Sequence, residues 1–309
     1  MPCAYVAGVG AANVDIHVRS RAPLNLHDSN PGSCRLSAGG VTRNILENLS
    51  RLGIATRLVS ALGEDLFGQW LLEHCAGLRM DTDAVKRIPG EGTSSYTALM
   101  DAQGDMFAAI SDMSVLQRLT PESLKDSVPL LSGAALIVCD PCLPEETLCW
   151  LCDSFSKTVP LACDPVSTAY AKRLADIVGC FSLVKPNRME LEILSGVPAE
   201  DDVGVERAAE SLLQKGSGAV LVSLGSSGCY WADREGRRFF ASLSPEGNMA
   251  DATGAGDACL AGAIYGLLMN AGPETAVRYA LAAGKIAVRS FGACSRELSP
   301  ELLKAIAEE

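Results

Sequence analysis

The chain has 309 residues, 48% of them hydrophobic and 20% charged, enough to bury a substantial core as one large α/β domain or as two domains. Its net charge of −11 is spread along the sequence, with no Lys/Arg cluster and few aromatic residues, which argues against a nucleic-acid polymer as partner. The sequence contains neither an apolar run of about 18 residues nor a basic-then-hydrophobic leader, so no membrane span is expected and a cytoplasmic location is.

Short apolar runs bounded by turn residues predict strands at Tyr5–Val9, Arg57–Ala61, Ala134–Val138, Val159–Ala162, Phe181–Val184 and Val220–Leu224, each buried on both faces. Helical spacing fills the intervals. Val41, Ile45, Leu49 and Leu52 form one stripe, and comparable stripes cover Leu66–Cys75, Leu191–Leu194, Val205–Leu213, Pro273–Val288 and Pro300–Ala307. Strand alternating with helix predicts a mostly parallel sheet covered on both faces, a three-layer αβα arrangement. Asn13–Ser37 and Lys86–Ile110 break that rhythm. The first is polar with turn signals, and the second holds a hairpin-like pair, Thr93–Asp101 and Asp105–Ile110. Together they predict a discontinuous β-rich lid, from about 13–37 and 86–111, on a single domain spanning 1–309.

Twelve cysteines are scattered through apolar segments, as reduced buried thiols commonly are. Cys139-x-x-Cys142 and Cys149-x-x-Cys152 superficially suggest zinc. Their separation is shorter than the roughly 15–20 residues of a ribbon-type site. The simpler expectation is that Cys139 ends a strand, while Cys149 and Cys152 face the core from a helix beginning near Pro144.

Asp251-Ala252-Thr253-Gly254-Ala255-Gly256-Asp257-Ala258 places two glycines and a carboxylate where a loop enters a long apolar helix, Ala258–Met269. Gly254 and Gly256 let backbone N–H groups at a helix N-terminus approach an anion, and the helix dipole adds positive potential there. Asp257 is placed to accept the proton of an attacking hydroxyl, so the octet has the design of a phosphoryl-transfer site. A plain glycine-containing helix start with an ordinary first-turn Asp is the alternative.

Four separated motifs agree with one family. Gly10-Ala-Ala-Asn13-Val-Asp15, Gly39-Gly40-Val-Thr-Arg-Asn44, Lys185-Pro-Asn187-Arg-Met-Glu190 and the octet, in that order along nearly the whole chain, resemble the ribokinase-like (PfkB) carbohydrate kinases. Asp28-Ser29-Asn30-Pro31-Gly32, Pro89-Gly-Glu-Gly-Thr93-Ser94-Ser95-Tyr96, Ser111-Asp112-Met113 and Asp164-Pro165-Val166-Ser167 resemble the branch that phosphorylates nucleosides.

The resemblance implies the ribokinase-like fold and transfer of the γ-phosphoryl of ATP to a ribose 5′-hydroxyl, with Mg²⁺ as cofactor. It assigns Asp257 as base and the amides of Gly254, Ala255, Gly256 and Asp257 as anion hole. Asn13, Asp15, Gly39, Gly40 and Asn44 are expected on the sugar. Ser29, Asn30, Thr93, Ser94 and Asp112 are expected on the base of the nucleoside, under the closed lid. Asn187, Ser223, Gly225 and Gly228 are expected near the nucleotide, and Glu190 near Mg²⁺ through water. For Asn187 and Glu190, an N-cap with a capping box fits the spacing equally well. Asp251, Thr253 and the 292–295 turn fall where relatives often hold a monovalent cation such as K⁺. Arg43 is expected either to stabilise the transferring phosphate or to form a surface ion pair. Lid strands in the family can pair between subunits, which allows a homodimer. Another sugar or nucleoside kinase on this fold, and a catalytically silent binder, are the alternatives.

Overall fold

A computed structural model describes residues 4–243, 253–290 and 292–309. Strand β1 (Tyr5–Val9) leads into β2 (Asn13–Ser20), β3 (Gly32–Gly39) and helix α1 (Val41–Arg51). Strands β4 (Ala55–Val59) and β5 (Ala61–Gly63), helix α2 (Leu66–Gly77) and strands β6 (Lys86–Ile88), β7 (Ser95–Met100) and β8 (Met106–Asp112) follow. The middle of the chain supplies α3 (Val128–Ser132), β9 (Leu136–Cys139), α4 (Glu145–Phe155), β10 (Leu161–Cys163), α5 (Thr168–Ala171), β11 (Leu183–Val184), α6 (Arg188–Ser195) and α7 (Asp202–Lys215). Strands β12 (Ala219–Ser223), β13 (Cys229–Asp233) and β14 (Arg238–Ala241) precede helices α8 (Ala255–Leu268), α9 (Pro273–Ala287) and α10 (Pro300–Ala307).

The central sheet has the order β14-β13-β12-β11-β10-β9-β1-β4. From β4 to β12 neighbours are parallel, and β13 and β14 add an antiparallel edge that the apolar runs did not reveal. A parallel strand is covered on both faces, so its side chains must be apolar in both directions. Ala7 and Val9 accordingly join one core with Leu148 and Leu151 of α4, Leu191 of α6 and Leu212 of α7. Val6 joins the opposite core with Ile45 and Leu49 of α1, Leu260 of α8, Val277 of α9 and Leu303 of α10. Leu49 is fully buried, and truncating such a side chain to alanine costs about 2–5 kcal/mol.

The strand expected at Arg57–Ala61 is two strands, β4 and β5, parted at Ser60, whose buried hydroxyl donates to the Gly10 carbonyl at 2.7 Å. The runs at 134–138, 159–162 and 181–184 begin up to two residues before their strands, because Ala134, Val159 and Phe181 are buried in the turns that lead in. A second sheet, β3-β2-β7-β8, stands apart from the first. Strand β6 lies outside it and pairs with β5, so the second lid piece enters its sheet at Ser95 rather than at 86.

Helix α4 starts after Pro144, as its sequence requires. Leu148, Leu151 and Cys152 occupy its buried stripe, at i, i+3 and i+4, which turns Cys149 outward. The expectation that Cys149 faces the core is therefore corrected. Among the described residues no group of three His, Cys, Asp or Glu side chains could hold a metal ion, and no helix is long and apolar enough to cross a membrane.

Candidate active site

Strand β1 ends at Val9, and the chain crosses into β2 with Asn13 and Asp15 both buried. The Asn13 amide Nδ2 donates to Asp15 Oδ1 at 2.7 Å, which fixes the carboxylate beside the end of β3. A Cβ on Gly39 would lie 2.3 Å from Asp15 Oδ1, so only glycine lets β3 pass over that carboxylate. Gly40 has φ 96° and precedes α1 without a side chain to cap it. Asp140, from the end of β9, takes over that role. Its Oδ2 accepts from the Thr42 N–H of α1 at 3.4 Å and from the Thr42 hydroxyl and the Ala11 N–H, both at 2.7 Å, and its charge favours the helix N-terminus.

The other wall begins at α8. Gly254 has φ 75°, and a Cβ there would meet the Ala293 carbonyl oxygen at 2.0 Å. That contact seats the start of α8 on the 292–295 turn. The first backbone bond of the helix runs from the Ala258 N–H to the Gly254 carbonyl, so the N–H groups of residues 255–257 have no acceptor within the helix and can serve an anion. Asp257 is buried, and Asn44 Nδ2 donates to its Oδ2 at 2.7 Å. Burial, together with the nearby Asp164 carboxylate, pushes Asp257 up to about 8, against the Asn44 hydrogen bond and the charges of Lys185 and Arg43. A carboxylate with that proton affinity is a competent acceptor for a hydroxyl proton near neutral pH.

Lys185 joins the wall just after β11. Its Nζ donates to Asp164 Oδ2 at 2.8 Å, with both side chains almost fully buried. Burial opposes the Lys185 charge, but the Asp164 carboxylate more than offsets it, and the ammonium is held charged well above its ordinary range. A Cβ on Gly256 would lie 2.8 Å from Lys185 Nζ, so the ammonium rests against the proposed anion hole and a larger residue there would displace it. Asn187 caps α6: its Oδ1 accepts from the Glu190 N–H and its own N–H donates to Glu190 Oε2, both at 2.9 Å. The capping box is present, and both residues still line the cavity. Burial, with the Asp164 charge, raises the Glu190 carboxyl above its usual range. Val166, between these groups, is a β-branched residue at φ 69°, a conformation costing on the order of 1–3 kcal/mol.

These walls enclose a cavity of about 630 Å³, within the size range of small-molecule sites. The structure brings Asn13, Asp15, Gly40 and Asn44 together with Asn187, Glu190 and Ser223, and with Thr253, Gly254, Gly256 and Asp257, on its lining. Gly39 stands behind Asp15, and Ala255 opens α8 between the two glycines. Ser223 ends β12 and bridges to Asn187, while Gly225 and Gly228 turn the loop that follows, off the lining. Asp251 lies outside the described residues.

Five sequence-derived base contacts are not on the lining. Ser29 and Asn30 lie in an exposed loop, where Asn30 is engaged by Asn25 and by the Asp28 carbonyl. Thr93 donates to Asp65 Oδ1 at 2.6 Å and accepts from the Gly63 N–H, and Ser94 is buried beside it. Asp112 caps its own turn through Ser114. Arg43 is likewise turned away from the cavity and fully buried, neither on phosphate nor at the surface. His17, outside every motif, and Tyr96, which ends the 89–96 motif but was assigned no contact, line the cavity instead. Strand alternation from Asp15 puts His17 on the same face, a signal present in the sequence. Lys185, Asp164 and Asp140 were missed as partners because their contacts join distant segments.

Comparison with known proteins agrees with this geometry. The family model for pfkB family carbohydrate kinases matches residues 4–300, and the chain belongs to that family. It is 38% identical over 258 residues to pseudouridine kinase of Escherichia coli (strain K12), covering 84% of this chain and 82% of that protein. To guanosine-inosine kinase of Exiguobacterium acetylicum it is 27% identical over 307 residues, 97% of this chain and 99% of the relative. The structure of Arabidopsis thaliana ribokinase complexed with ribose and ATP superimposes with a TM-score of 0.87 at 25% identity, covering 98% and 99% of the two chains. The fold is therefore ribokinase-like, and the protein is a sugar or nucleoside kinase.

Proposed function

We propose that the protein phosphorylates pseudouridine on its ribose 5′-hydroxyl at the expense of ATP. The observation that carries the chemistry is the single cavity that holds Asp15 with Asn13 on one wall and Asp257 with Asn44 on the other, beneath the lid sheet. Support for this nucleoside comes from the 38% identity to the Escherichia coli pseudouridine kinase.

In this reading Asp15 accepts hydrogen bonds from the vicinal ribose hydroxyls, with its orientation fixed by Asn13. Asp257 accepts the 5′-hydroxyl proton as that oxygen bonds to the γ-phosphorus and the bond to the leaving ADP oxygen breaks. The Lys185 ammonium and the amides at the start of α8 oppose the charge on the moving phosphoryl group. Glu190 would hold Mg²⁺ through water by its Oε1, since Oε2 accepts the Asn187 N–H. When bound, the metal would neutralise phosphate charge. We assign a potassium ion to the neighbourhood of Thr253 and the 292–295 turn, which meet at Gly254; equal activity in potassium-containing and potassium-free buffer would remove it.

The deciding experiment is ATP-dependent turnover of pseudouridine, uridine, inosine, guanosine, ribose and fructose in parallel, with Asp257→Asn as the blank and the product identified by ³¹P NMR. A preference for pseudouridine, phosphorylated at the 5′ position, is expected. Preference for a purine nucleoside or a free sugar would keep the kinase and discard the substrate.

A further inference from the structure

The side chain of Arg43 is fully buried behind the catalytic wall, and each nitrogen of its guanidinium is used. Nε donates to the Gly39 carbonyl at 2.8 Å, Nη2 donates to the Ala38 carbonyl at 2.9 Å and to Asn44 Oδ1, and Nη1 pairs with Glu47 Oε2. Glu47 is itself 2% exposed and is held by Arg51 at 2.6 Å and by His74 Nε2 at 2.9 Å. A buried guanidinium without a counter-charge would be strongly destabilising, so Glu47 is what allows it to stand there.

We propose that Arg43, braced by Glu47, is the positioning residue for the catalytic base: it fixes the Asn44 amide so that an N–H, and not the carbonyl oxygen, faces Asp257. The proposal rests on the reading of Asp257 as base. A guanidinium has donors only, so Asn44 must turn its oxygen toward Arg43. Its NH₂ is thereby aimed at Asp257 Oδ2, at 2.7 Å, which leaves Oδ1 for the substrate hydroxyl. With the amide reversed, a carbonyl oxygen would face a carboxylate and an NH₂ would face a guanidinium, two repulsions in place of two bonds. The same guanidinium holds the Ala38 and Gly39 carbonyls at the end of β3, where Gly39 passes over Asp15. One side chain thus ties the sugar wall to the base wall.

The test uses the full chain with Arg43→Lys, Glu47→Gln and Asn44→Ala, and each of the first two combined with Asn44→Ala. Lysine keeps the charge but loses the planar fork and cannot reach all four acceptors. Arg43→Lys is expected to lower kcat about tenfold or more while KM for ATP stays within about twofold, and to cost under about twofold once Asn44 is alanine. The same loss in both backgrounds, or a loss confined to KM, overturns the proposal. A second readout does not depend on turnover: the titration of the Asp257 carboxyl by ¹³C NMR, assigned by its disappearance in Asp257→Asn. Among the described residues, the charged and polar groups acting on that carboxyl include Asp164, Lys185, Asn44, Arg43 and, from the 292–295 turn, Cys294. Its midpoint should rise in Asn44→Ala, which removes a hydrogen bond that lowers it, and likewise in Arg43→Lys. In Glu47→Gln, loss of a nearby negative charge would by itself lower the midpoint, so a rise there reports the misplaced amide. An unmoved midpoint in Arg43→Lys, or a fall in Glu47→Gln should Arg43→Lys fail to fold, sinks the positioning role. Absence of wild-type turnover on every substrate sinks the base reading instead, and the two failures are read separately.

Discussion

Asn44 and Asp257 meet at 2.7 Å although 213 positions separate them in the chain. Asn44 stands in the first turns of α1 and Asp257 in the first turn of α8, so the proposed base and its amide partner belong to helices entering from opposite ends of the sequence. Both helices pack into the same core, through Ile45 and Leu49 on one and Leu260 and Ile264 on the other. The packing of that core therefore sets the geometry of the base.

Replacing the base should remove the chemistry and spare the fold. Asp257→Asn keeps the volume and an acceptor for the Asn44 amide but cannot take a proton, and turnover should fall by at least roughly 10²-fold. Far-UV circular dichroism should be unchanged. A turnover near the wild-type value would show that another group takes the hydroxyl proton.

The raised proton affinity of Asp257 predicts two opposite pH trends. Only the ionised carboxyl accepts a proton, so kcat/KM should climb with pH and level off above about 8. Asp164→Asn removes the neighbouring negative charge and should move that rise to lower pH. Stability runs the other way. The folded protein keeps a proton on Asp257 between about 4, where an ordinary Asp loses it, and about 8, so this group favours the folded state fully below the lower value and loses that contribution as pH rises through the upper one. Hence Tm of Asp257→Asn should exceed the wild-type Tm more at pH 8.5 than at pH 5. A difference in Tm that does not depend on pH would contradict the raised value.

Discrimination among nucleosides should lie in the inner face of the lid. His17 and Tyr96 line the cavity, whereas Ser29 and Asn30 bond within their own loop. Alanine at His17 or Tyr96 should change the ratio of pseudouridine to uridine turnover by about tenfold, the scale of losing one well-placed hydrogen bond or ring contact. Alanine at Ser29 or Asn30 should leave that ratio within about twofold, since surface changes rarely exceed half a kcal/mol. A ratio that follows Ser29 and Asn30 instead would mean that the loop folds down onto the base when substrate is bound.

The parts of the site legible in the sequence are those that glycine and helix geometry force. Gly254, Gly256 and Asp257 were legible as a glycine-opened helix start carrying a first-turn Asp, which fits an anion site and a plain helix start alike. The capping box at Asn187 and Glu190 was also written in its spacing. What stayed hidden has long-range partners. Asp140 caps α1 from 98 positions away, and Lys185 meets Asp164 only after two strands pair. Asn30 offers hydrogen-bonding capacity that its own loop consumes, while Ser29 is held there by its backbone N–H, which donates to Asp28 Oδ1. Arg43 illustrates a readable signal passed over: adjacent helical residues point about 100° apart, so it could not share the cavity face of Asn44, and Glu47 at i+4 was its available partner.

Gly254 is the position where one methyl group should separate binding from chemistry. Its φ of 75° is strained for any residue with a Cβ, and that atom would sit 2.0 Å from the Ala293 carbonyl oxygen, far inside contact distance. The backbone must move to admit it, and the backbone here carries the amides of residues 255–257. On the proposed assignment those amides meet the phosphoryl group and not the sugar, so Gly254→Ala should lower kcat by about 10²-fold, the scale of losing anion-hole donors. Binding of the nucleoside alone, followed by calorimetry without ATP, should weaken by less than about threefold, since Asp15 and Asn13 stand on the other wall. Gly236→Ala is the matched control. Its φ is 86°, but no atom lies within 4 Å of the added Cβ, so it carries the backbone strain without the collision at the anion hole. Equal losses of turnover in the two variants would assign the effect to glycine strain in general and not to the placement of the α8 amides.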